Sequence, residues 1–278
     1  MIDIERVSVE EDVVFGTGGG RELRCDIYRA DALPTGAPVA LLFHGGGWKY
    51  GSRDALRDQA IFLANEGFVA VTPEYRLAAE SRWPAHIHDA KAAIRWTRAS
   101  AEQLGVDRSK VAAVGFSAGA HLALLAAGTA GHEPFSGDGG HGEVSDELNA
   151  VVGFYTPVRF RMDGETLSGA TLASHLAEDL TAEEALTAAP ISYANSDFPP
   201  TMLLHGAADK LVPVSATLRL YESLNAHQVP IDLRIYGGLA HGFPRLPGML
   251  HETMTEVASF LDRVMVSPER YPVEDLHW

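Results

Sequence analysis

The sequence predicts an α/β fold, a mainly parallel sheet of about eight strands with helices on both faces. Two observations carry this. Short continuous apolar runs that stop at glycine or proline recur through the chain, the pattern of strands buried on both faces. Longer stretches with apolar residues at helical spacing lie between them, and strands alternating with helices build a parallel sheet covered on both sides. At 278 residues and 46% hydrophobic composition the chain can bury one large core, so a single domain over 1–278 is expected.

Taken in order, "VSVEEDVVFGTG" (7–18) and "RELRCDIYRA" (21–30) alternate in polarity and read as an antiparallel pair at the sheet edge. "APVALLFHG" (37–45) is the first fully apolar strand. "RDALRDQAIFLANEG" (53–67) follows as a helix with Gly67 as its C-cap, then "GFVAVTPEY" (67–75) as the next strand. The stretch 86–105, "HIHDAKAAIRWTRASAEQLG", places Ile87, Ala90, Ile94, Trp96 and Ala101 at mostly helical spacing. "KVAAVGFS" (110–117) is a third buried strand, and an apolar helix resumes directly after its serine. "AVVGFYTP" (150–157), "PPTMLLHG" (199–206) and "IDLRIYGG" (231–238) complete the strands, with a helix at 214–228 before the last. Two stretches fit less well. Residues 128–148 hold six glycines and five acids, and 158–189 is polar and Ala-rich with a capping start at Thr181. Both are expected as insertions over the carboxyl ends of the strands, where ligands bind in such sheets.

Composition narrows the function. A formal charge of -15 repels nucleic acid and anionic membranes, so neither is expected as a partner. The first twenty residues scatter acids through any apolar run, which predicts no secretory signal, and no stretch approaches the ~20 apolar residues of a membrane span. The cytoplasm is the expected location. Cys25 is the single cysteine, so neither a disulfide framework nor a thiolate metal cluster is expected. The C-terminal "SPERYPVEDLHW" ends on an aromatic residue and raises the expectation of a homodimer.

The chemistry gathers around one serine. Gly115-Phe116-Ser117-Ala118-Gly119 stands between a strand and a helix, the context in which G-x-S-x-G forms a nucleophile elbow. A strand that reverses into a helix in one turn crowds the backbones on either side, so glycines two before and two after the serine are needed. The turn also sets Ser117 at a helix N-terminus, where the Ala118 amide and the dipole favour negative charge. A serine hydroxyl needs a base, an acid to orient it, and donors for the oxyanion. Asp209, in "LLHGAADKLVP", and His241, in "YGGLAHGF", each follow a strand at its carboxyl end. Asp197 precedes its strand and Asp232 begins one, so Asp209 is the better placed acid. His205 lies within a strand end and reads as a packed, hydrogen-bonded histidine, while His86, His88, His132 and His141 lie at a helix start or in the 128–148 loop. "HGGGW" (44–48) follows a buried strand, and its glycines let backbone amides approach a substrate oxygen. Trp48, Phe116, Tyr155 and Phe243 flank these motifs and either line a substrate pocket or belong to the core. Tyr75, Arg76 and Trp83 read as fixing the loop near the glycines.

The ordered set "HGGGW", "PEYRLAAESRWPAHIHDAKAAIRW", "GFSAG", "LLHGAADKLVP" and "GGLAHGF" resembles the α/β-hydrolase superfamily over roughly residues 35 to 265. Within it the chain is similar to the esterases, both hormone-sensitive-lipase-like and feruloyl or acetyl-xylan esterase-like. The resemblance implies Ser117, Asp209 and His241 as triad, the amides of Gly46, Gly47 and Ala118 as oxyanion hole, no cofactor or metal, and a small ester substrate of short to medium acyl chain. Phe116 stands where hormone-sensitive-lipase-like members carry an acid, and "VPVSAT" stands where they carry Asp-Glu. Both departures favour the feruloyl or acetyl esterase-like group. An arylformamidase-type amide hydrolase, an acyltransferase and a non-catalytic binder on the same fold stay open at this point.

Overall fold

Glycines 19 and 20, both at positive φ, turn β1 (Val7–Gly18) into β2 (Arg21–Ala30), giving the antiparallel edge pair that the alternation predicts. The computed structural model describes residues 7–160 and 180–271. Beyond the hairpin come β3 (Ala37–Phe43), β4 (Val69–Pro73), β5 (Val106–Phe116), β6 (Ala150–Phe154), β7 (Thr201–Gly206) and β8 (Ile231–Tyr236). They form one sheet in the order β1-β2-β4-β3-β5-β6-β7-β8. β2 runs antiparallel to β4, and every pair from β4 to β8 is parallel.

Residue alternation divides the core between the two faces. Val39, Leu41 and Phe43 of β3 and Val111 and Ala113 of β5 point to one side, into a cluster with α2 (Ala85–Ala99), α4 (Ala118–Gly128) and α6 (Val214–Ala226). Ala40 and Leu42, with Ala112 and Val114, point to the other, against α1 (Arg57–Asn65) and α7 (Met249–Leu261). Each fully buried Val or Leu here contributes about 1.5–3 kcal/mol of transfer free energy. From β3 the chain goes first to β4 on one side and then, through α2, to β5 on the other. The carboxyl ends of β3 and β5 therefore face a crevice at the reversal, the place where ligands enter sheets of this kind.

The structure departs from the sequence expectation in three places. The helix expected over 86–105 breaks at Ser100, whose amide still donates to the Trp96 carbonyl at 2.8 Å, and restarts as the short α3 (Ala101–Leu104), closed by Gly105 at φ 64°. β5 begins earlier than expected because Val106 pairs with Ala37. The 128–148 stretch is the third, for it does not lie over the carboxyl ends. α4 runs back from the carboxyl edge, so the chain leaves it at the opposite end of the sheet and packs along α2 instead. There Asp146 pairs with the buried Lys91 at 2.8 Å, Arg95 Nε donates to the Gly140 carbonyl at 3.1 Å, and Thr17 N donates to Gly139 O at 3.3 Å. It approaches the crevice through Phe135, which stands edge-on to Trp83 at 5.9 Å.

Within 158–189, residues 161–179 lie outside the described residues. The flanking parts pack beside the crevice, where Phe160, Leu180, Ala185 and Ala188 form a small cluster with Trp48 and Ala118. α5 (Ala182–Thr187) opens with a complete capping box, the Thr181 hydroxyl accepting from Glu184 N and the Glu184 carboxylate from Thr181 N. The expectation of a dimer rests on 267–278, of which 272–278 also lie outside the described residues. No helix among the described residues is long and apolar enough to cross a membrane.

Candidate active site

β5 ends at Phe116 and α4 begins at Ala118, so Ser117 alone makes the turn, at φ 53° and ψ -114°. An L-residue there carries roughly 1–3 kcal/mol of strain, which persists only if the surroundings fix it. Two backbone bonds do so: Ser117 N donates to Phe154 O and His121 N to Ser117 O, both at 3.0 Å. The glycines follow from close approach. A β-carbon on Gly115 would lie 2.5 Å from Ala120 N, and one on Gly119 would lie 2.5 Å from the His44 carbonyl oxygen and overlap that of Phe43. The first turn of α4 thus rests directly on the end of β3.

Three loops at the carboxyl edge converge on that serine. Ser117 Oγ stands 3.0 Å from His241 Nε2, and His241 Nδ1 stands 2.7 Å from Asp209 Oδ2. The tautomer is set by these partners: Nδ1 donates to the carboxylate and Nε2 accepts from the hydroxyl. Asp209 Oδ1 accepts from the amides of Leu211 at 2.8 Å and Val212 at 2.9 Å. Its Oδ2 receives a further imidazole nitrogen, His205 Nε2, at 3.2 Å. Burial alone would raise the carboxyl of Asp209, but hydrogen bonds from His205, His241 and the Val212 amide outweigh it and hold the group well below the usual carboxylate range. The carboxylate is shut off from water while the His241 side chain stays 20% exposed.

The glycine loop passes beside Ser117. A β-carbon on Gly45 would lie 3.3 Å from the serine Cβ, and Gly46 and Gly47 take φ of 121° and 60°. The amides of Gly46, Gly47 and Ala118 donate to no backbone carbonyl among the described residues. The loop is held from behind. His44 Nδ1 donates to the Gly45 carbonyl at 2.8 Å, Tyr75 Oη donates to the His44 carbonyl at 2.8 Å, and the two rings stack at 4.4 Å. Burial lowers the His44 imidazole, with the Gly45 carbonyl opposing, so the ring is neutral at pH 7. The next residue, Arg76, forks onto Asp89 of α2, Nε to Oδ2 at 2.8 Å and Nη2 to Oδ1 at 2.7 Å. Tyr75 therefore braces the glycine loop directly, while Arg76 ties the segment that follows it to α2.

The four aromatic residues divide. Trp48, fully buried, packs with Ala118 and Phe160 and meets the edge of His121 at 5.2 Å. Tyr155, at φ 40°, lays its ring 4.4 Å from that of His241. Phe116 and Phe243 are buried in the core cluster on the α1 and α7 side of the sheet. Phe116 stacks on Phe154 at 4.4 Å and Phe243 packs on Tyr236 at 4.8 Å, because alternation along β5 turns Phe116 to the α1 and α7 side of the sheet. Sequence reasoning missed the contacts of His205 with Asp209 and of His121 and Phe160 with Trp48. The first pair has a signal in hindsight, a histidine four residues before the acid across a tight turn. Among the described residues no group of three or more His, Cys, Asp or Glu is placed to hold a metal ion.

The BD-FAE family matches residues 25–224. Esterase LipC of Mycobacterium tuberculosis is 33% identical over 261 residues, covering 90% of this chain and 64% of its own length. Esterase LipQ of the same organism is 32% identical over 254 residues, covering 86% of this chain and 56% of its own. The chain thus spans between about half and two-thirds of the length of these curated relatives. Among solved structures, the propionate-bound thermophilic esterase Est2 of the Planctomycetes species Thermogutta terrifontis superposes with a TM-score of 0.79 at 28% identity, over 94% of this chain and 96% of that one. A truncated carbohydrate esterase from gut microbiota reaches 0.81 at 24% identity over 91% and 96%, a likeness of fold. With the family's match running from β2 through the serine turn and the Asp209 loop into α6, and the strand order closing on the same architecture, the chain belongs to the BD-FAE family and has the α/β-hydrolase fold.

Proposed function

We propose that this protein is a serine carboxylesterase that cleaves short-acyl carboxylic esters through an acyl-enzyme. One observation carries the reading: the unbroken line from Ser117 Oγ through His241 to the buried carboxylate of Asp209, beside three amides with no backbone partner among the described residues. His241 Nε2 takes the hydroxyl proton as Ser117 Oγ attacks the ester carbonyl carbon, and Asp209 holds the imidazolium that results. The amides of Gly46, Gly47 and Ala118 receive the oxyanion, each worth about 10²–10³ in rate. His241 returns the proton to the departing alcohol. Water then attacks the acyl-enzyme with His241 again as base, and Ser117 is released with the acid. The chain supplies every group this route needs.

The named relatives support the ester as the bond cleaved, and the propionate- and butyrate-bound forms of the Thermogutta esterase support a short acyl group. The test is pre-steady-state turnover of a p-nitrophenyl acyl series, from acetate to laurate, beside Ser117→Ala. A burst largest on the shortest chains and absent from the variant is expected. Absence of turnover on every ester, or turnover untouched by the substitution, refutes the reading.

A further inference from the structure

We propose that His205 is a positioning residue for the reaction, the second imidazole to donate to the same Asp209 oxygen, with Thr217 fixing its tautomer. The inference rests on the esterase reading and deepens it. His205 is the penultimate residue of β7, and both it and the Asp209 side chain are fully buried. Its Nε2 faces two acceptors, Asp209 Oδ2 at 3.2 Å and the Val212 carbonyl at 2.9 Å, so it carries the hydrogen and shares it between them. Its Nδ1 lies 2.7 Å from Thr217 Oγ1 on α6, also fully buried. With Nε2 protonated, the threonine hydroxyl donates to Nδ1.

Two hydrogen-bonded arms converge on the Asp209 carboxylate: Thr217 Oγ donates to His205 and His205 to Asp209, while Ser117 Oγ donates to His241 and His241 to the same oxygen. Asp209 Oδ1 is already saturated by two amides, so His205 is the donor that sets how much charge Oδ2 offers to His241. It also stops the carboxylate from rotating about its Cβ–Cγ bond, since moving Oδ2 toward His241 stretches the His205 contact. Among the described residues the ring of Tyr155, a further titratable group, touches His241 from the exit of β6. Burial raises its phenol, with Arg245 opposing and Asp209 adding, so it stays neutral through the working range and does not supply the acid limb.

Removing the donor leaves more negative charge on Oδ2, which stabilises the imidazolium of His241. In His205→Leu the acid limb of kcat/KM is expected to move up by about half a pH unit. kcat should fall about tenfold, the usual loss when a group that orients a catalytic ligand is removed, with KM within about twofold. His205→Gln places an amide N–H where Nε2 stood and should restore the limb and most of kcat. Thr217→Val keeps the shape of the site and should move the limb in the same direction by less.

The experiment measures kcat and KM for wild type and these three variants on p-nitrophenyl acetate across about pH 5 to 9. It also records proton-nitrogen spectra of the ¹⁵N-histidine-labelled proteins, which need no turnover. The downfield Nδ1–H resonance of His241 should move in His205→Leu and return in His205→Gln, and wild-type His205 should show the Nε2–H form. If wild type cleaves no ester, the esterase reading falls and the spectra still decide the placement of His205. Equal losses in Leu and Gln variants with an unmoved limb and resonance overturn the proposal, leaving His205 a packing residue. Should the Leu variant not fold, an unmoved limb in Thr217→Val together with no Nε2–H form in wild type overturns it.

Discussion

Replacing His86 with leucine should make the protein more stable, and increasingly so as the pH falls. His86 sits in the first turn of α2, 1% exposed, its ring stacked on Trp83 at 6.2 Å, and neither ring nitrogen has a hydrogen-bond partner among the described residues. Burial, with smaller contributions from His121 and Arg76, pushes the imidazole from its ordinary 6.5 down to about 3. In the fold it stays neutral across the working range, whereas in the unfolded chain it takes up a proton below 6.5. The unfolded state therefore binds more protons between pH 6.5 and about 3, and stability is lost as pH falls through that window at about 1.36 kcal/mol per unit. By pH 5 the loss from this residue is about 2 kcal/mol. Leucine has no nitrogen to desolvate, a gain of about 1–3 kcal/mol at any pH, offset by about 0.5–1.5 kcal/mol of lost ring contact. The net expectation is about 1 kcal/mol at pH 7.5, rising to about 3 at pH 5. His121, buried and pushed down to about 4, titrates in both proteins and cancels from the difference. Urea unfolding followed by tryptophan fluorescence at pH 7.5, 6 and 5 measures it. A difference that does not change with pH, or a variant less stable than wild type at pH 5, refutes the reasoning.

Asp209→Asn should lower kcat by about 10⁴ at neutral pH with little change in KM, because the amide favours the wrong tautomer of His241; steady-state kinetics on a short ester decides it. Asp89→Ala leaves the Arg76 guanidinium buried without its two-bond partner and should cost about 3–5 kcal/mol, read as a fall in the urea midpoint at unchanged slope. Gly119→Ala should cost about 1–3 kcal/mol and reduce kcat as well, since relief of the overlap with the Phe43 carbonyl must shift α4 and with it Ser117; an alanine variant of wild-type kcat contradicts the packing. Cys25 is fully buried and burial raises its thiol, so labelling by a thiol reagent should be slow in buffer and follow the unfolding transition in urea.

The inner parallel strands were legible because they are apolar on both faces, and a run such as Ala37–Phe43 has no other place to go, whereas the edge strand β8 alternates and is half exposed. The serine turn was legible for a related reason, as its two glycines mark backbone contact that no other residue permits. What remained hidden is contact between surfaces without a sequence period. The charged residues of α2 look like a solvated face, yet Asp89, Lys91 and Arg95 are each buried. Their cover comes from Arg76 and from Asp146, partners distant in sequence whose approach is set by the path of the 128–148 stretch. That path in turn depends on the amide of Thr17 reaching the carbonyl of Gly139, a link of backbone to backbone that leaves no side-chain signature. Aromatic residues near strand ends gave the weakest guidance. Phe116 and Trp48 look alike in sequence, yet the alternation of β5 sends Phe116 into the core on the α1 and α7 side, while the glycine loop after β3 packs Trp48 against Ala118.

The meeting of Gly16 with Gly139 also constrains how this chain can change over evolutionary time. A β-carbon on Gly16 would overlap the Gly139 carbonyl oxygen, and one on Gly139 would lie 2.5 Å from Ala92 Cβ, so three segments share one point of closest approach. Substitution at any one of them needs a compensating retreat in another, which makes the trio a single inherited unit although it spans the N-terminal hairpin, α2 and the 128–148 stretch. Grafting that hairpin from a relative, or shortening the stretch in a redesigned enzyme, succeeds only if the matched small residues travel with it.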